Sequence, residues 1–423
     1  MSVYQLTGVV RPYAWGSRTV LAEMQGRPAP TAEPEAEWWL GAHPGDPSTV
    51  AGPDGPVSLD SFIADDPKGQ LGEAVTSAFG SRLPFLLKVL SAEAPLSLQA
   101  HPDLEYAREA YAKQLAEPSL PKNYTDANHK PEMLVALTEF EALCGFRDPA
   151  VSANELEALQ IPALAPVVSA LRDGHLRTAV ELLLTWPEAD RTALTDAVVA
   201  AARSDGRTAA AGADAALAAA GADPTFAFAG IGAALAADSA ESFALAADLA
   251  DRYPGDPGVL VALLLNHVRL QPGEAIWMPA GNLHAYIRGA GVELMAASDN
   301  VLRGGLTPKR VDVGELLNVL RFVVLNDPIL PSRRVAPGVI TWDVPVPDFA
   351  LFHIDLDGSG PPIEVPATGP RIILGTAGEV FVGESIDGTP VAVPRGSAAY
   401  ASADAGSIKV AGTGQVFVAA VPA

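Results

Sequence analysis

The residue composition and the spacing of apolar residues change twice along the chain, and this pattern constrains the fold more than any other feature. From residue 1 to about 148, short apolar segments such as "RLPFLLKVLSA" are punctuated by glycine and proline, which is typical of β-rich structure. Residues from about 150 to 255 are dense in alanine, leucine and aspartate at helical spacing, as in "VVSALRDGHLRTAVELLLTW". Strand-like segments return from about 256 onward. The sequence therefore predicts two β-rich regions separated by a helical insertion.

The segment "PLSLQAHPD" at 95–103 alternates polar and apolar residues. Ser97, Gln99 and His101 are separated by single apolar residues. Because successive side chains of a strand point to opposite faces, the three polar groups are predicted to share one face. We expect that face to meet water or to bind a ligand.

The segment "PGEAIWMPAGNLHAY" at 272–286 is predicted to reverse the chain just ahead of a histidine. Gly281 permits a positive φ, and Pro279 stiffens the entry to the turn. His284 is therefore expected at the start of the following strand.

Composition and net charge exclude several classes of protein. The 423 residues are 49% hydrophobic and 18% charged, which suits folded domains with sizeable cores. A formal net charge of −22 argues against a nucleic-acid or acidic-membrane partner, because such binding needs a basic surface. An anionic small molecule would therefore need a local basic pocket.

Cysteine use and the lengths of the apolar runs indicate a cytoplasmic protein. Cys144 is the single cysteine and has no partner for an internal disulfide, and "MSVYQLTGVV" lacks the features of a signal peptide. The longest apolar runs fall well short of the roughly 20 residues of a membrane helix. The oligomeric state stays open, with a monomer favoured.

Four residues near these motifs make up a candidate metal site. They offer two imidazole nitrogens, one carboxylate and one amide oxygen, and are Gln99, His101, Glu132 and His284. This mixed set of nitrogen and oxygen ligands suits zinc, while manganese, cobalt and iron stay open on chemistry alone. With one anionic ligand, such a site keeps a net positive charge and attracts a hydroxyl, a carbonyl or water.

Basic residues cluster around the same motifs despite the acidic composition. They are Lys88, Lys130, Arg303, Lys309 and Arg310. Lys88 interrupts the apolar run "LPFLLKVL", and a charge inside an apolar strand needs a partner or a polar cavity. An anionic ligand such as a phosphate group would be such a partner, held by arginine, lysine and a hydroxyl such as that of Ser97.

Several separated motifs together resemble one enzyme family. The glycine, proline, glycine and histidine of 273–284 resemble the second motif of cupin barrels, and the Gln-x-His pair resembles their first motif with glutamine in place of one histidine. The segments "SLQAHPD", "NHKPEM", "FEALCGFR" and "SDNVLRGGLTPKRVDV" resemble the type I mannose-6-phosphate isomerases. This resemblance covers roughly residues 10–148 and 256–313, and elsewhere extends only to the general layout.

The resemblance implies a fold and a cofactor. The expected fold is mainly β, with cupin jelly-roll barrels and an inserted α-helical domain. Residues 1–148 and 256–324 are expected to form a metal-bearing catalytic domain, 149–255 the helical insertion, and 325–423 a C-terminal β-domain without metal. The residues that match the zinc ligands of the family, with one Zn²⁺ per chain, are Gln99, His101, Glu132 and His284.

The resemblance also implies the reversible conversion of mannose 6-phosphate to fructose 6-phosphate, within carbohydrate metabolism and GDP-mannose biosynthesis. A base removes the C2 proton, a proton returns at C1, and the intervening cis-enediolate needs stabilisation. Arg303 matches the catalytic arginine of the family and is expected to stabilise developing charge or to hold the phosphate. The candidate proton carriers are Lys130, Glu293 and Asp299. The expected substrate contacts are Ser97, Lys88 and Lys309.

Two other classes of function stay open on the sequence. Cupin barrels include iron oxygenases, whose facial triad would fit His101, His284 and Glu132. A sugar-phosphate-binding protein that kept the metal and lost the chemistry is the second alternative. The cluster of lysine and arginine favours a phosphorylated substrate over the oxygenase, and the presence of both Lys130 and Arg303 argues against the inactive protein.

Overall fold

Strands dominate the fold, and most of the helices lie in one stretch between them. The computed structural model describes residues 3–52, 55–201, 203, 227–383 and 389–422. Its two large sheets are antiparallel, and successive helices occupy 149–201 and 227–262. The prediction of a mainly β fold with inserted helices is confirmed. The part of the predicted insertion at 204–226 lies outside the described residues.

The helices and strands of the described residues have the following bounds. The strands are β1 (Val3–Thr7), β2 (Val9–Arg11), β3 (Glu37–Leu40), β4 (Thr49–Gly52), β5 (Gly55–Ser58), β6 (Phe85–Ala92), β7 (Leu98–Ala100), β8 (Glu132–Ala136), β9 (Phe140–Phe146), β10 (Leu265–Leu270), β11 (Ala275–Met278), β12 (His284–Ala296), β13 (Leu302–Gly305), β14 (Ile329–Leu330), β15 (Ser332–Ala336), β16 (Val339–Trp342), β17 (Ala350–Asp357), β18 (Ile363–Glu364), β19 (Arg371–Val382), β20 (Val391–Pro394), β21 (Ala398–Ala401) and β22 (Lys409–Ala420). The helices are α1 (Val20–Met24), α2 (Leu59–Asp65), α3 (Pro67–Leu71), α4 (Glu73–Phe79), α5 (Leu104–Ala116), α6 (Pro149–Ala158), α7 (Ala165–Arg172), α8 (Leu176–Leu184), α9 (188–201), α10 (Ala227–Arg252), α11 (Gly258–Ala262) and α12 (Val313–Val319). None of the described helices combines the length and apolarity that crossing a membrane requires.

The first sheet has the order β14-β11-β8-β12-β6-β3-β2, with β7, β9, β10 and β13 paired beside this path. Strand β12 organises it because it pairs with four other strands. Its first half pairs with β9 and, at His284, with β7, whereas its second half pairs with β6 and β8. Gly289 lies where the partners change, with a φ of +113°, and a Cβ there would lie 2.5 Å from the carbonyl oxygen of Glu139. Glycine meets both the φ and the close approach. The bend in β12 thus joins strands that are distant in sequence around one interior.

The second sheet contains strands from both β-rich regions. Its order is β15-β16-β17-β22-β19-β21-β1-β4-β5, with β18 on β22 and β20 on β19. The predicted catalytic segment 1–148 therefore contributes β1, β4 and β5 to the sheet built by the predicted C-terminal domain 325–423. Apolar texture identifies a strand but not the sheet edge that it joins, because edges pair through backbone groups that nearly every residue carries.

A continuous apolar core joins the two sheets. Its buried members come from both of them and include Val89, Leu294, Leu374, Tyr400 and Phe417. Burial of apolar surface is the main driving force for such packing. The back of the first sheet is therefore covered by the second sheet rather than by solvent.

The helical segment packs against the outer face of strand β7. Leu98 and Ala100 are fully buried in a core that they share with helices α6 to α12. Ser97 and Gln99, which alternate with them, line a cavity on the other side. The predicted division of this segment into an apolar and a polar face is confirmed at these four residues.

A buried arginine fastens the loops at one end of the second sheet. Arg371, the first residue of β19, is fully buried and donates hydrogen bonds to the carbonyl oxygens of Ala367 at 3.1 Å, Ser402 at 2.9 Å and Gly406 at 2.7 Å. Burial lowers its pKa to about 10. The guanidinium therefore holds three loop carbonyls in place of water.

We expect Arg371→Met to lower the free energy of unfolding by about 2–4 kcal/mol, because buried carbonyl oxygens lose charged donors. Urea unfolding followed by circular dichroism measures this loss. The control is Arg395→Met, since Arg395 is exposed and such surface changes stay within about 0.5 kcal/mol. A parental urea midpoint for Arg371→Met would show that the buried guanidinium does not hold this sheet together.

Candidate metal centre and active site

One cavity collects most of the residues that the sequence singles out. It has a volume of about 660 Å³ and is lined by strands of the first sheet and by the loops beside them. The predicted catalytic and substrate-binding residues that line it are Lys88, Ser97, Lys130, Glu293, Asp299, Arg303 and Lys309. Two predicted metal ligands, Gln99 and Glu132, also line it. The other two, His101 and His284, are buried beside Glu132.

Three buried side chains direct their ligand atoms at one another beside this cavity. The Oε2 atom of Glu132 lies 3.4 Å from Nε2 of His101 and 3.2 Å from Nε2 of His284. All three residues are at most 1% exposed, and these three atoms have no hydrogen-bond partner. Buried polar atoms without partners are costly. Their convergence within 4.8 Å of one another therefore fits a bound metal ion.

Strand pairing and one turn bring these ligands together. Glu132 begins β8, His284 begins β12, and His101 follows directly after β7. Gln99 of β7 lies opposite His284 in the sheet register. Gly281, ahead of His284, has a φ of +78°, which confirms the predicted turn. The four predicted ligands therefore come from three neighbouring strands of one sheet.

Backbone carbonyls fix the orientation of both imidazole rings. Nδ1 of His101 donates to the carbonyl oxygen of Asn300 at 2.6 Å, and Nδ1 of His284 donates to that of Asn282 at 3.1 Å. Donation from Nδ1 leaves the lone pair of Nε2 free toward the centre. This is the tautomer that a metal-binding imidazole requires.

Electrostatics favours the protonation states that bind metals. Burial, assisted by the ammonium of Lys130, lowers the pKa of His101 to about 4. Although burial opposes it, the ammonium of Lys130 and the neighbouring imidazoles hold the pKa of Glu132 well below its usual range. At neutral pH the centre therefore offers a neutral imidazole and an ionised carboxylate, as metal coordination needs.

Asn300 connects the metal centre to the loop that carries Lys130. Besides accepting from His101, it is fully buried and its amide nitrogen donates to the carbonyl oxygens of Asp126 and Asn128, both at 2.8 Å. Its Oδ1 accepts from the backbone N–H of Thr125 at 2.9 Å. One residue therefore holds both an imidazole of the centre and the chain leading to Lys130.

Lys88 and Glu293 face each other across β6 and β12 inside the cavity. The ammonium of Lys88 lies 3.1 Å from Glu293 and 3.8 Å from Glu37, and it lies 5.3 Å from the ring centroid of Trp39. Burial opposes the charge, but these carboxylates and Glu132 raise the pKa of Lys88 above its usual range. The expectation that this lysine needs a polar partner is confirmed.

Glu293 is the most deeply placed acid of the cavity wall after Glu132. Its side chain accepts from the hydroxyl of Tyr286 at 2.8 Å and from Lys88. Burial raises its pKa, although the charge of Lys88 opposes the shift. A carboxylate whose pKa is raised accepts a proton more readily than a free one.

The remaining predicted residues differ in whether their charges are paired with a neighbouring residue. Lys130 is buried and its ammonium lies 2.6 Å from Oε1 of Glu132. Asp299 is half exposed and pairs with His43 at 3.3 Å, and this hydrogen bond lowers its pKa. Arg303 is half-buried, which lowers its pKa, and it makes no ion pair with any described residue. Its guanidinium is therefore available to an anion in the cavity.

Three groups of the wall were not assigned a role from the sequence. Glu37 and Trp39 alternate on β3 and meet Lys88, and Tyr286 meets Glu293. The indole N–H of Trp39 donates to Glu37 at 2.6 Å. The alternation of "EWWL" was the one available signal, since it puts these two residues on a common face, as in "SLQAH". The sequence does not show which neighbouring strand these two residues contact.

The formal charges of the cavity wall cancel. Its four basic residues are Lys88, Lys130, Arg303 and Lys309, and its four acidic residues are Glu37, Glu132, Glu293 and Asp299. A divalent cation at the histidines and Glu132 would leave the site with a net positive charge. The centre therefore fits a metal both in its ligand atoms and in the charge balance that an anionic ligand needs.

Comparison with known proteins agrees with this site. The model of the phosphomannose isomerase type I catalytic domain matches residues 3–149. The curated mannose-6-phosphate isomerase of Escherichia coli is 36% identical over 358 residues, 83% of each chain, and that of Homo sapiens is 32% identical over 95% of this chain and 94% of its own. A zinc-bound crystal structure of mannose 6-phosphate isomerase superimposes with a TM-score of 0.83 at 30% identity, covering 100% of both chains. The chain therefore belongs to the type I phosphomannose isomerase family of enzymes.

Proposed function

We propose that this protein is a zinc-dependent isomerase that interconverts mannose 6-phosphate and fructose 6-phosphate through a cis-enediolate. The observation that carries the proposal is the set of three unpartnered ligand atoms of His101, Glu132 and His284 beside a cavity lined by four bases. Membership of the family supports the substrate. One Zn²⁺ per chain follows from the one group of such ligands among the described residues.

Gln99 is the fourth ligand in this proposal. Its Cα lies opposite that of His284, and its side chain faces the cavity that Glu132 also lines. Two imidazoles, a carboxylate and an amide oxygen satisfy the nitrogen and oxygen preference of zinc. When bound, zinc would polarise the sugar oxygens at C1 and C2 as a Lewis acid.

Arg303 and Lys309 are the proposed partners of the substrate phosphate and of developing negative charge. Neither makes an ion pair with a described residue, and both line the cavity together with the hydroxyl of Ser97. Lys88, by contrast, already lies between Glu37 and Glu293. We therefore propose that Lys88 holds Glu293. The phosphate is bound by the other three groups, those of Arg303, Lys309 and Ser97.

Glu293 is the proposed carrier of the proton between C2 and C1. Its raised pKa suits a group that must accept a proton and return it, whereas the lowered pKa of Asp299 makes that carboxylate a weaker base. Tyr286 and Lys88 each hold one of its two carboxylate oxygens. Lys130, bound to Glu132, is positioned to donate to a sugar oxygen that gains charge in the enediolate.

An assay separates this proposal from an iron oxygenase and from an inactive sugar-phosphate-binding protein. The purified chain is analysed for metals, and fructose 6-phosphate formed from mannose 6-phosphate is measured beside oxygen uptake. We expect stoichiometric zinc, product formation and no oxygen consumption. Oxygen uptake with bound iron would support the oxygenase, and tight binding without turnover would support the inactive protein.

His284→Ala is expected to abolish zinc retention and activity while leaving the fold intact. The change removes one of three buried ligands, whereas the apolar cores do not depend on the ion. Metal analysis after dialysis against a chelator measures zinc retention, and the formation of fructose 6-phosphate from mannose 6-phosphate measures activity. His353→Ala in β17 is the matched control and should keep both zinc and activity. Full activity of the His284 variant after chelation would contradict the site.

Arg303→Lys is expected to lower kcat/KM by roughly 10- to 150-fold, equivalent to about 1.5–3 kcal/mol for a lost charge-assisted contact. An ammonium keeps the charge but not the two parallel donors of the guanidinium. A rise in KM alone would assign phosphate binding, and a fall in kcat alone would assign transition-state charge. The exposed Arg310 provides the control as Arg310→Lys. Near-parental efficiency of Arg303→Ala would place Arg303 outside the reaction.

Asn300→Ala keeps the main-chain carbonyl that accepts from His101 but removes the side-chain hydrogen bonds to Thr125, Asp126 and Asn128, which hold that carbonyl and the loop to Lys130 in place. We expect zinc binding to weaken by roughly 10- to 100-fold. A competition titration with a chromophoric chelator measures the affinity directly, and hydrogen exchange at Thr125 and Asn128 reports on the loop. Unchanged zinc affinity together with unchanged exchange would show that neither the metal centre nor the loop leading to Lys130 depends on the side chain of Asn300.

A further inference from the structure

A second cavity adjoins the active-site cavity. It has a volume of about 640 Å³ and is lined by Leu184 of α8, Arg191 of α9, the segment 252–257 and residues of 304–313. Four residues line both cavities, namely Tyr253, Thr307, Pro308 and Lys309. The two spaces therefore share one wall.

The charges that line this second cavity are predominantly positive. Arg191, Arg252 and Lys309 contribute basic groups, and Asp256 is the one acidic residue among the described lining residues. Both oxygens of Asp256 accept backbone N–H groups, one from Gly258 at 2.7 Å and the other from Thr307 at 3.1 Å. Its carboxylate is thus engaged by the wall and does not pair with a base.

The basic groups are available to a ligand. Arg191 is held in place because its Nε donates to the carbonyl oxygen of Trp186 at 2.8 Å and its Nη2 to that of Leu184 at 3.4 Å, so Nη1 remains free. Arg252 and Lys309 make no side-chain hydrogen bond or ion pair with any described residue. A fixed guanidinium beside two unpaired cations is suited to a small multivalent anion.

Exposed arginines elsewhere on this acidic chain are commonly neutralised by a neighbour. Arg172 pairs with Glu157 at 2.7 Å, and Arg333 pairs with Asp343 at 2.7 Å. A chain with a net charge of −22 repels anions in general, so an anion will bind only where bases gather without such partners. Arg303 and Lys309 in the active-site cavity, and Arg252 and Lys309 in its neighbour, are bases without an ion pair to a described residue.

We propose that the second cavity binds a small phosphorylated anion, and that its occupant modulates substrate binding across the shared wall. Lys309 faces both cavities, so an anion held by Arg252 and Lys309 draws this ammonium away from the substrate phosphate. Asp256 ties the segment before α11 to Thr307, so both sides of the cavity are linked to the chain that follows Arg303. The modulation rests on the proposed function, whereas the binding site does not.

Calorimetric titration of the zinc-loaded full chain with inorganic phosphate tests the site. We expect two saturable sites per chain in the parent, and a loss of about tenfold or more in affinity at one of them in Arg252→Ala. Arg172→Ala, an exposed helical arginine outside the cavity, should keep both sites unchanged. The absence in the parent of any phosphate site whose affinity falls in Arg252→Ala would overturn the proposal, whether or not the chain is an isomerase.

Kinetics and a second ligand define the role of the site. Inhibition of the isomerase by phosphate is expected to be mixed in the parent and purely competitive in Arg252→Ala, with kcat unchanged in the absence of phosphate. A parallel titration with glucose 6-phosphate separates a sugar phosphate, which would bind the Arg252-dependent site more tightly than phosphate, from the free anion, which would bind equally. Purely competitive inhibition in the parent would refute the modulation.

Discussion

The pairing of one bent strand with four others is the constraint on which the site depends. Strand β12 supplies His284 at its start and Glu293 near its end, and it lies beside the strands that carry Gln99, Lys88 and Glu132. The positive φ of Gly289 marks the point where the partners of the first half give way to those of the second, and residues of both halves, Tyr286 and Glu293, line one cavity. A proposed metal ligand and the proposed proton carrier are thereby held on a single continuous backbone.

Buried charge is tolerated in this cavity because it is arranged in alternating signs. Lys88 lies between two carboxylates, Lys130 lies against Glu132, and each acid is held by a donor. Isolated ions at these positions would be far too costly to bury. The arrangement also leaves Arg303 and Lys309 as bases without acidic partners among the described residues, which gives an incoming dianion a defined end of the cavity to approach.

The parts of the site that the sequence could predict are those that depend on residue type and local spacing. His101, Glu132 and His284 could be proposed as ligands because together they offer the nitrogen and oxygen donors of a metal site and lie in motifs that resemble those of the family, and Lys88 could be singled out because a charge inside an apolar strand requires a partner. Glu37 and Trp39 were not assigned, since their importance comes from the register of β3 against β6. The same limit applies to β1, whose apolar pattern shows a strand but not the sheet that receives it. Long-range pairing is set by the whole fold and leaves no local signature.

The pairing of β1 with β21 has a consequence for how the chain reaches its native state. Val3 lies opposite Ala401, so this ladder links positions about 400 residues apart. Contacts of such high sequence separation form slowly, because the entropy cost of closing a large loop comes before the stabilisation that the contacts provide. During synthesis β1 emerges long before its partner, and its apolar residues Val3 and Leu6 have to wait without the sheet that buries them. Until translation has passed residue 401, the edge of β1 that pairs with β21 is therefore unpaired and accessible to chaperones.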